Sequence, residues 1–250
     1  MISLDSLSVT GWHMDERSHR FTDRGVSTFR EEVLLWYKQH GRDFLWRRGR
    51  LRTYHVVITE ELLQRTSAPI VNRFLPSFLQ RFPDWRALAE ASESEIRHVL
   101  VPVGLWRRRA KMFSKLAREV VHHNGRLPQD RRSLEELPGV GQYVASAILL
   151  MRNGRREPLL DASMARLLER YFGPGSKADF RFDSYLQGLA REILSTGNPR
   201  DLNWGMLDLS AAVCRATRPL CHSCPLSGGC QHFLNKLPVH PHAARSHTVR

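Results

Sequence analysis

Leu137-Pro138-Gly139-Val140-Gly141, running directly into Gln142-Tyr143-Val144-Ala145, is the stretch on which the reading of this chain turns. Two glycines around one apolar residue make a tight turn with exposed backbone N–H groups. A short helix is expected before it, over residues 131–136, and a longer one from Gln142 onward. The first N–H groups of that second helix lack intrahelical partners, and its dipole end is positive. Turn and helix end together form a phosphate seat that needs no cationic side chain. An ordinary glycine-rich connection between helices reads the same way locally; the preceding Leu-Pro and the basic chain around it favour the anion seat.

Outward from this turn the pattern is helical almost throughout. Phe29, Val33, Trp36 and His40 share a face, and helices are expected over residues 54–66 and 69–81. Ala110, Phe113, Leu116 and Val120 repeat at helical spacing until Asn124-Gly125. Residues 142–153 and 162–172 give two more helices, the second stopped by Gly173-Pro174-Gly175. Tyr185, Leu189 and Ile193 continue the period, and Leu202, Met206, Leu209 and Val213 make a last apolar stripe. There is no strand pair and no internal repeat, so the fold class is all-α. Residues 1–25 and 239–250 read as loose tails.

The formal charge of +13 makes polyanions the expected partners. Arginine supplies 33 of the 38 basic residues, and its planar fork suits phosphate. A compositional bias toward arginine accounts for the Arg excess equally well, but not for the net charge. The first residues carry no apolar signal segment, and no stretch approaches the ~18 apolar residues of a membrane span. A cytoplasmic, nucleoid-associated protein is expected. All four cysteines fall in Cys214-x6-Cys221-x2-Cys224-x5-Cys230. Thiols this close serve together as a metal or iron–sulfur cage, or less often as disulfides, and a reducing compartment favours the cage. The spacing by itself permits zinc.

These features resemble the helix-hairpin-helix superfamily of DNA glycosylases, in the branch of endonuclease III and the adenine glycosylases. The likeness spans residues 29–235. It rests on Arg42-Asp43-Phe44-Leu45-Trp46-Arg47, on Ile58-Thr59-Glu60-Glu61-Leu62-Leu63-Gln64-Arg65-Thr66, on the 137–141 turn, on Leu160-Asp161-Ala162-Ser163 and on the cysteines. Within the superfamily the chain looks most like the thymine–guanine mismatch glycosylases. The resemblance implies two helical lobes with the active-site groove between them. Residues 48–155 form a six-helix lobe with the hairpin, and residues 26–47 plus 156–238 form a cluster lobe. It implies a [4Fe–4S] cluster on Cys214, Cys221, Cys224 and Cys230, double-stranded DNA as partner, and a monomer.

Residue by residue, the resemblance makes Asp161 the catalytic carboxylate, 18 positions after Tyr143. Breaking an N-glycosidic bond builds positive charge on the sugar, which a carboxylate stabilises while orienting water. Asp161 also precedes a helix, where Asp is a favoured cap; one residue can do both. Tyr143 stands where strand-cutting members carry the lysine that forms a Schiff base. The implication is a monofunctional glycosylase without lyase activity, acting on thymine or uracil opposite guanine. Glu60 is placed to meet the pyrimidine N3–H, against the plainer reading of a surface carboxylate. Gly139, Val140, Gly141 and Gln142 contact DNA, and Arg65 enters the duplex gap or reads the opposite guanine. An adenine glycosylase is the alternative; the short stretch after the cysteines and Trp106-Arg107-Arg108 speak against it. A non-catalytic iron–sulfur DNA-binding protein is the alternative of another class.

Overall fold

The computed structural model describes residues 23–49 and 52–236, so most of the N-terminal tail expected over 1–25, and all of that over 239–250, lie outside the described residues. In chain order the helices are α1 (Asp23–His40), α2 (Thr53–Leu63), α3 (Ala68–Arg81), α4 (Trp85–Glu90), α5 (Glu93–Leu100) and α6 (Trp106–His122). They continue as α7 (Arg131–Glu135), α8 (Gln142–Asn153), α9 (Ala162–Phe172), α10 (Ser184–Ile193), α11 (Pro199–Ala212) and α12 (Gln231–Leu234). Among the described residues there is no strand, and no helix is long and apolar enough to cross a membrane. The all-α reading holds.

The helices enclose two apolar cores. One draws on α2 to α8, with Ile58, Leu62, Phe78, Phe113, Leu116 and Ile148 fully buried. The other joins α1 to α9, α10 and α11 through Phe29, Val33, Leu168, Leu189, Leu202 and Leu209. α2 and α8 separate the two, since Val57, Ile58 and Ile148 face the first core while Val56, Ala147 and Leu150 face the second. α1 lies close on α11 because Gly205 has no side chain: a Cβ there would sit 2.8 Å from Val33 Cγ1. Across this second core Asp208, wholly buried on α11, takes hydrogen bonds from Arg42 N (2.7 Å), Arg42 Nε (2.7 Å), and Arg47 Nη1 and Nη2 (2.7 and 3.0 Å). A buried carboxylate is tolerable only with such pairing, and this one fastens the segment before α2 to α11.

Three details differ from the sequence reading. α1 begins at Asp23, so the last residues of the expected N-terminal tail are helical. α2 stops at Leu63 rather than Thr66, because Arg65 is left-handed (φ 60°). The Arg109 guanidinium fixes that turn, donating to the carbonyls of Leu62 (2.9 Å) and Gln64 (2.5 Å) and to Thr66 Oγ1 (2.9 Å). Two short helices between Arg81 and Trp106 were not expected; Asp84 caps α4, and a reciprocal Ser92–Glu95 capping box starts α5.

Candidate active site

A cavity of about 480 Å³ opens where the two cores meet, lined by Glu60, Gln64 and Arg65 from the end of α2, by Tyr143 from α8, and by Asp161 and Ser163 from the start of α9. Arg42, Phe44, Trp46, Arg47 and Trp204 close its other side. A second cavity of about 340 Å³ shares Gln64, Tyr143 and Asp161 with the first and runs to Gly139, Gly141 and Gln142 of the hairpin. Tyr143, half-buried, packs against both cores, so it stands on the seam between them.

Asp161 is placed by its own helix. Its Oδ1 accepts from Ser163 N (2.9 Å), Ser163 Oγ (2.7 Å) and Met164 N (2.7 Å), which makes it the cap of α9. Oδ2 accepts nothing among the described residues. The capping reading and the catalytic reading thus fall on different oxygens of one carboxylate. The segment leading to it is held by Asn203, whose Oδ1 accepts from Leu159 N (2.7 Å) and whose Nδ2 donates to Glu157 O (3.1 Å).

Glu60 is not a surface carboxylate: it is 7% exposed, and its Oε2 is buried without a hydrogen-bond partner. Burial raises its pKa to about 7; Arg47 opposes the shift and Asp161 adds to it. Its neighbour Glu61 is 4% exposed with an unpartnered Oε1, and burial, opposed by Arg109 and reinforced by Glu60, raises it to about 8. The Tyr143 hydroxyl is held well above its ordinary pKa by burial and then by the charges of Glu60 and Asp161, so it stays protonated. Glu60, Tyr143, Asp161 and Arg47 form one electrostatic group.

Arg47 and its surroundings gained no role from the sequence, although the segment was conspicuous. Its guanidinium lies 5.2 Å from the ring centres of both Phe44 and Trp204, held between them by Asp208. Its Nε is buried without an acceptor. Asp208, 161 positions away, gave no local signal. Leu105 was also missed: it is 45% exposed in a left-handed conformation (φ 51°), and with Arg65 it borders a further cavity beside Gly139.

The hairpin has the expected shape. Val140 N donates to Leu137 O and Gly141 N to Gly139 O, both at 3.1 Å, while the N–H groups of Gly139, Gln142 and Tyr143 donate to nothing among the described residues. Gly139 has φ +85°, and a Cβ on it would meet Met112 Sδ at 2.6 Å. Gln64 and Arg65 are exposed at the cavity rim. In a pocket that shares no lining residue with the groove, the four cysteines are free thiols, with Leu167, Tyr171, Leu226 and Phe233 as the apolar wall. Arg170 Nη1 lies 3.4 Å from Cys214 Sγ. Among the described residues no group of His, Cys, Asp or Glu side chains is set up for a single metal ion.

Asp161, with one unpartnered oxygen, and the buried Glu60 thus line one cavity, and a second cavity sharing Tyr143 and Asp161 reaches the hairpin. Residues 58–191 match the model of the HhH-GPD superfamily base excision DNA repair proteins. A thymine-DNA glycosylase of Aeropyrum pernix is 38% identical over 221 residues, 86% of this chain and 99% of that protein. The human adenine DNA glycosylase is 33% identical over 85% of this chain but 41% of its own length. The solved structure of a thermostable thymine-DNA glycosylase superposes with a TM-score of 0.80 at 31% identity, covering 85% of this chain and 98% of the other. The chain belongs to the HhH-GPD superfamily of base excision DNA repair proteins. It is a DNA glycosylase, as the motifs indicated, and its partner is DNA.

Proposed function

We propose that this enzyme is a monofunctional glycosylase that removes thymine or uracil mispaired with guanine and leaves an intact abasic strand. The observation that carries the reading is the composition of the two groove cavities: Asp161 and Tyr143 line both, and among the described residues no lysine lines either. Without an amine in reach of the sugar, no Schiff base forms and the strand is not cut. The extruded nucleotide enters the larger cavity, where extrusion is easiest at a mismatch. As the N1–C1′ bond breaks, its electron pair leaves with the base and positive charge grows on the sugar. Asp161 Oδ2 stabilises that charge and accepts the proton of the water that adds at C1′. Tyr143, protonated, packs against the sugar and donates to Asp161 or to the water.

The base edge is read by two groups with no partner in the protein. Glu60 Oε2 accepts from N3–H of the pyrimidine, and Arg47 Nε donates to a flanking carbonyl oxygen. A pyrimidine with a donor between two carbonyls, such as thymine or uracil, offers that pattern; cytosine, with an acceptor at N3, does not. The relative named a thymine-DNA glycosylase supports the same choice. The four thiols lining one apolar-walled pocket fit a [4Fe–4S] cluster, which would join the segment after α11 to the start of α12 against α9 rather than take part in the chemistry. The reading is tested on a labelled duplex with a T:G mismatch. Breaks appear only after alkali, and borohydride traps no protein–DNA adduct; breaks before alkali, or a trapped adduct, overturn the monofunctional assignment.

A further inference from the structure

Consecutive carboxylates on a helix point about 100° apart, and at the end of α2 they enter different cavities. Glu60 lines the large one with Tyr143 and Asp161. Glu61 lines a smaller one, of about 90 Å³, with Arg108, Arg109 and Gly139. Gln64, Arg65 and no other residues line both, so these two exposed side chains form the partition. Each of these two residues has one carboxyl oxygen, Glu60 Oε2 and Glu61 Oε1, buried without a hydrogen-bond partner among the described residues. Arg109 does not satisfy Glu61; its guanidinium is committed to the carbonyls of Leu62, Gln64, Val103 and Gly104 and to Thr66 Oγ1. An unpaired buried carboxyl costs stability; the charges of Arg109 and Arg108 offset part of that cost, but no donor among the described residues bonds Glu61 Oε1.

We propose that Glu61 is a specificity residue that binds the unpaired guanine left in the opposite strand, accepting its N1–H and N2–H donors on the two carboxyl oxygens. The proposal rests on the reading of this groove as a mismatch site: when one base enters the Glu60 chamber, its former partner is left across the Gln64–Arg65 partition with its pairing edge exposed. Among the four bases guanine alone presents two adjacent donors on that edge, and a carboxylate is the side chain that presents two adjacent acceptors. Arg108, on the chamber wall, offsets the charge brought toward the phosphates.

The test is independent of which base the enzyme removes. Binding is measured to duplexes carrying a tetrahydrofuran abasic analogue opposite guanine or opposite hypoxanthine, which lacks only the N2 amino group. The work is done above pH 8, where the Glu61 carboxyl is ionised. Wild type is expected to prefer guanine by about tenfold, the effect of one hydrogen bond to a charged acceptor. Glu61→Gln, whose amide pairs with O6 and N1–H and ignores N2, binds both duplexes equally; Glu61→Leu loses the preference as well. Equal binding by wild type, or the same preference in either variant, overturns the proposal, and the wild-type ratio can do so whatever the variants' folding. Failure to release thymine from a T:G duplex would sink the pyrimidine reading but leave a Glu61-dependent guanine preference standing.

Discussion

Asp161→Asn separates the capping seen in the structure from the catalytic duty proposed for the same side chain. The amide keeps Oδ1, which can still accept from Ser163 N and Met164 N and cap α9. Asparagine is about as good a cap as aspartate, so the variant should lose less than ~1 kcal/mol of stability, mostly the charge at the helix dipole. What disappears is the anion opposite the sugar. Two unit charges about 4 Å apart at an effective dielectric of about 20 attract by roughly 4 kcal/mol, equivalent to a rate factor of about a thousand. Single-turnover base release from a T:G duplex should slow by about that factor while thermal melting barely moves. Asp161→Ala should lose the rate and, in addition, about 1 kcal/mol of cap energy. An Asn variant releasing base within tenfold of wild type, with melting unchanged, would refute the catalytic assignment of Oδ2.

Four further outcomes follow from the same structure. If ionised Glu60 accepts N3–H, wild-type release should rise with pH through about 7 and level off, and Glu60→Gln should abolish that rise; a pH-independent wild type contradicts it. Because Glu60 and Glu61 are raised in the folded protein to about 7 and about 8, the folded state holds protons that the unfolded chain gives up near its ordinary carboxyl range. The associated stabilisation is complete below about pH 4 and fades as pH climbs past 8. The wild-type melting temperature, taken relative to the Glu60→Gln, Glu61→Gln double variant, should fall across that window. Gly139→Ala forces a Cβ into Met112 Sδ at a left-handed backbone position, so affinity for any duplex should drop without a change in base preference, seen as a uniform shift of binding isotherms. Purified protein should carry about four irons and four sulfides per chain if the cysteines hold a [4Fe–4S] cluster; Cys221→Ser should lower that content and the melting temperature together, and iron-free wild type of full stability contradicts it.

Much of this was legible in the chain. Helical period located α8 and α9 to the residue and marked the apolar stripes of α1, α10 and α11, because those stripes face one core or the other. The hairpin was readable from two glycines and a proline. Asp161 and Tyr143 came from the family resemblance, and the structure brings them to one cavity with Glu60. The end of α2 was not readable: its sequence continues a helical pattern, and the stop comes from Arg109, 45 residues beyond Gln64, capturing its carbonyls. Arg47 was hidden likewise, since its position between Phe44 and Trp204 depends on Asp208 of a distant helix. Glu60 was singled out by the family resemblance, with a surface carboxylate as the plainer reading, while Glu61 gave no signal of its own. Only the packing of α2 between two cores shows both to be buried, and only the cavities show that they face different chambers.

The most direct measurement is the identity of the base set free. Presented with equimolar duplexes containing T:G, U:G, A:G and A opposite 8-oxoguanine, the enzyme should liberate thymine and uracil, detected chromatographically as free bases, and leave both adenine duplexes untouched. Free adenine without thymine would show that the chamber of Glu60 and Arg47 holds a purine, and the pyrimidine account would fail.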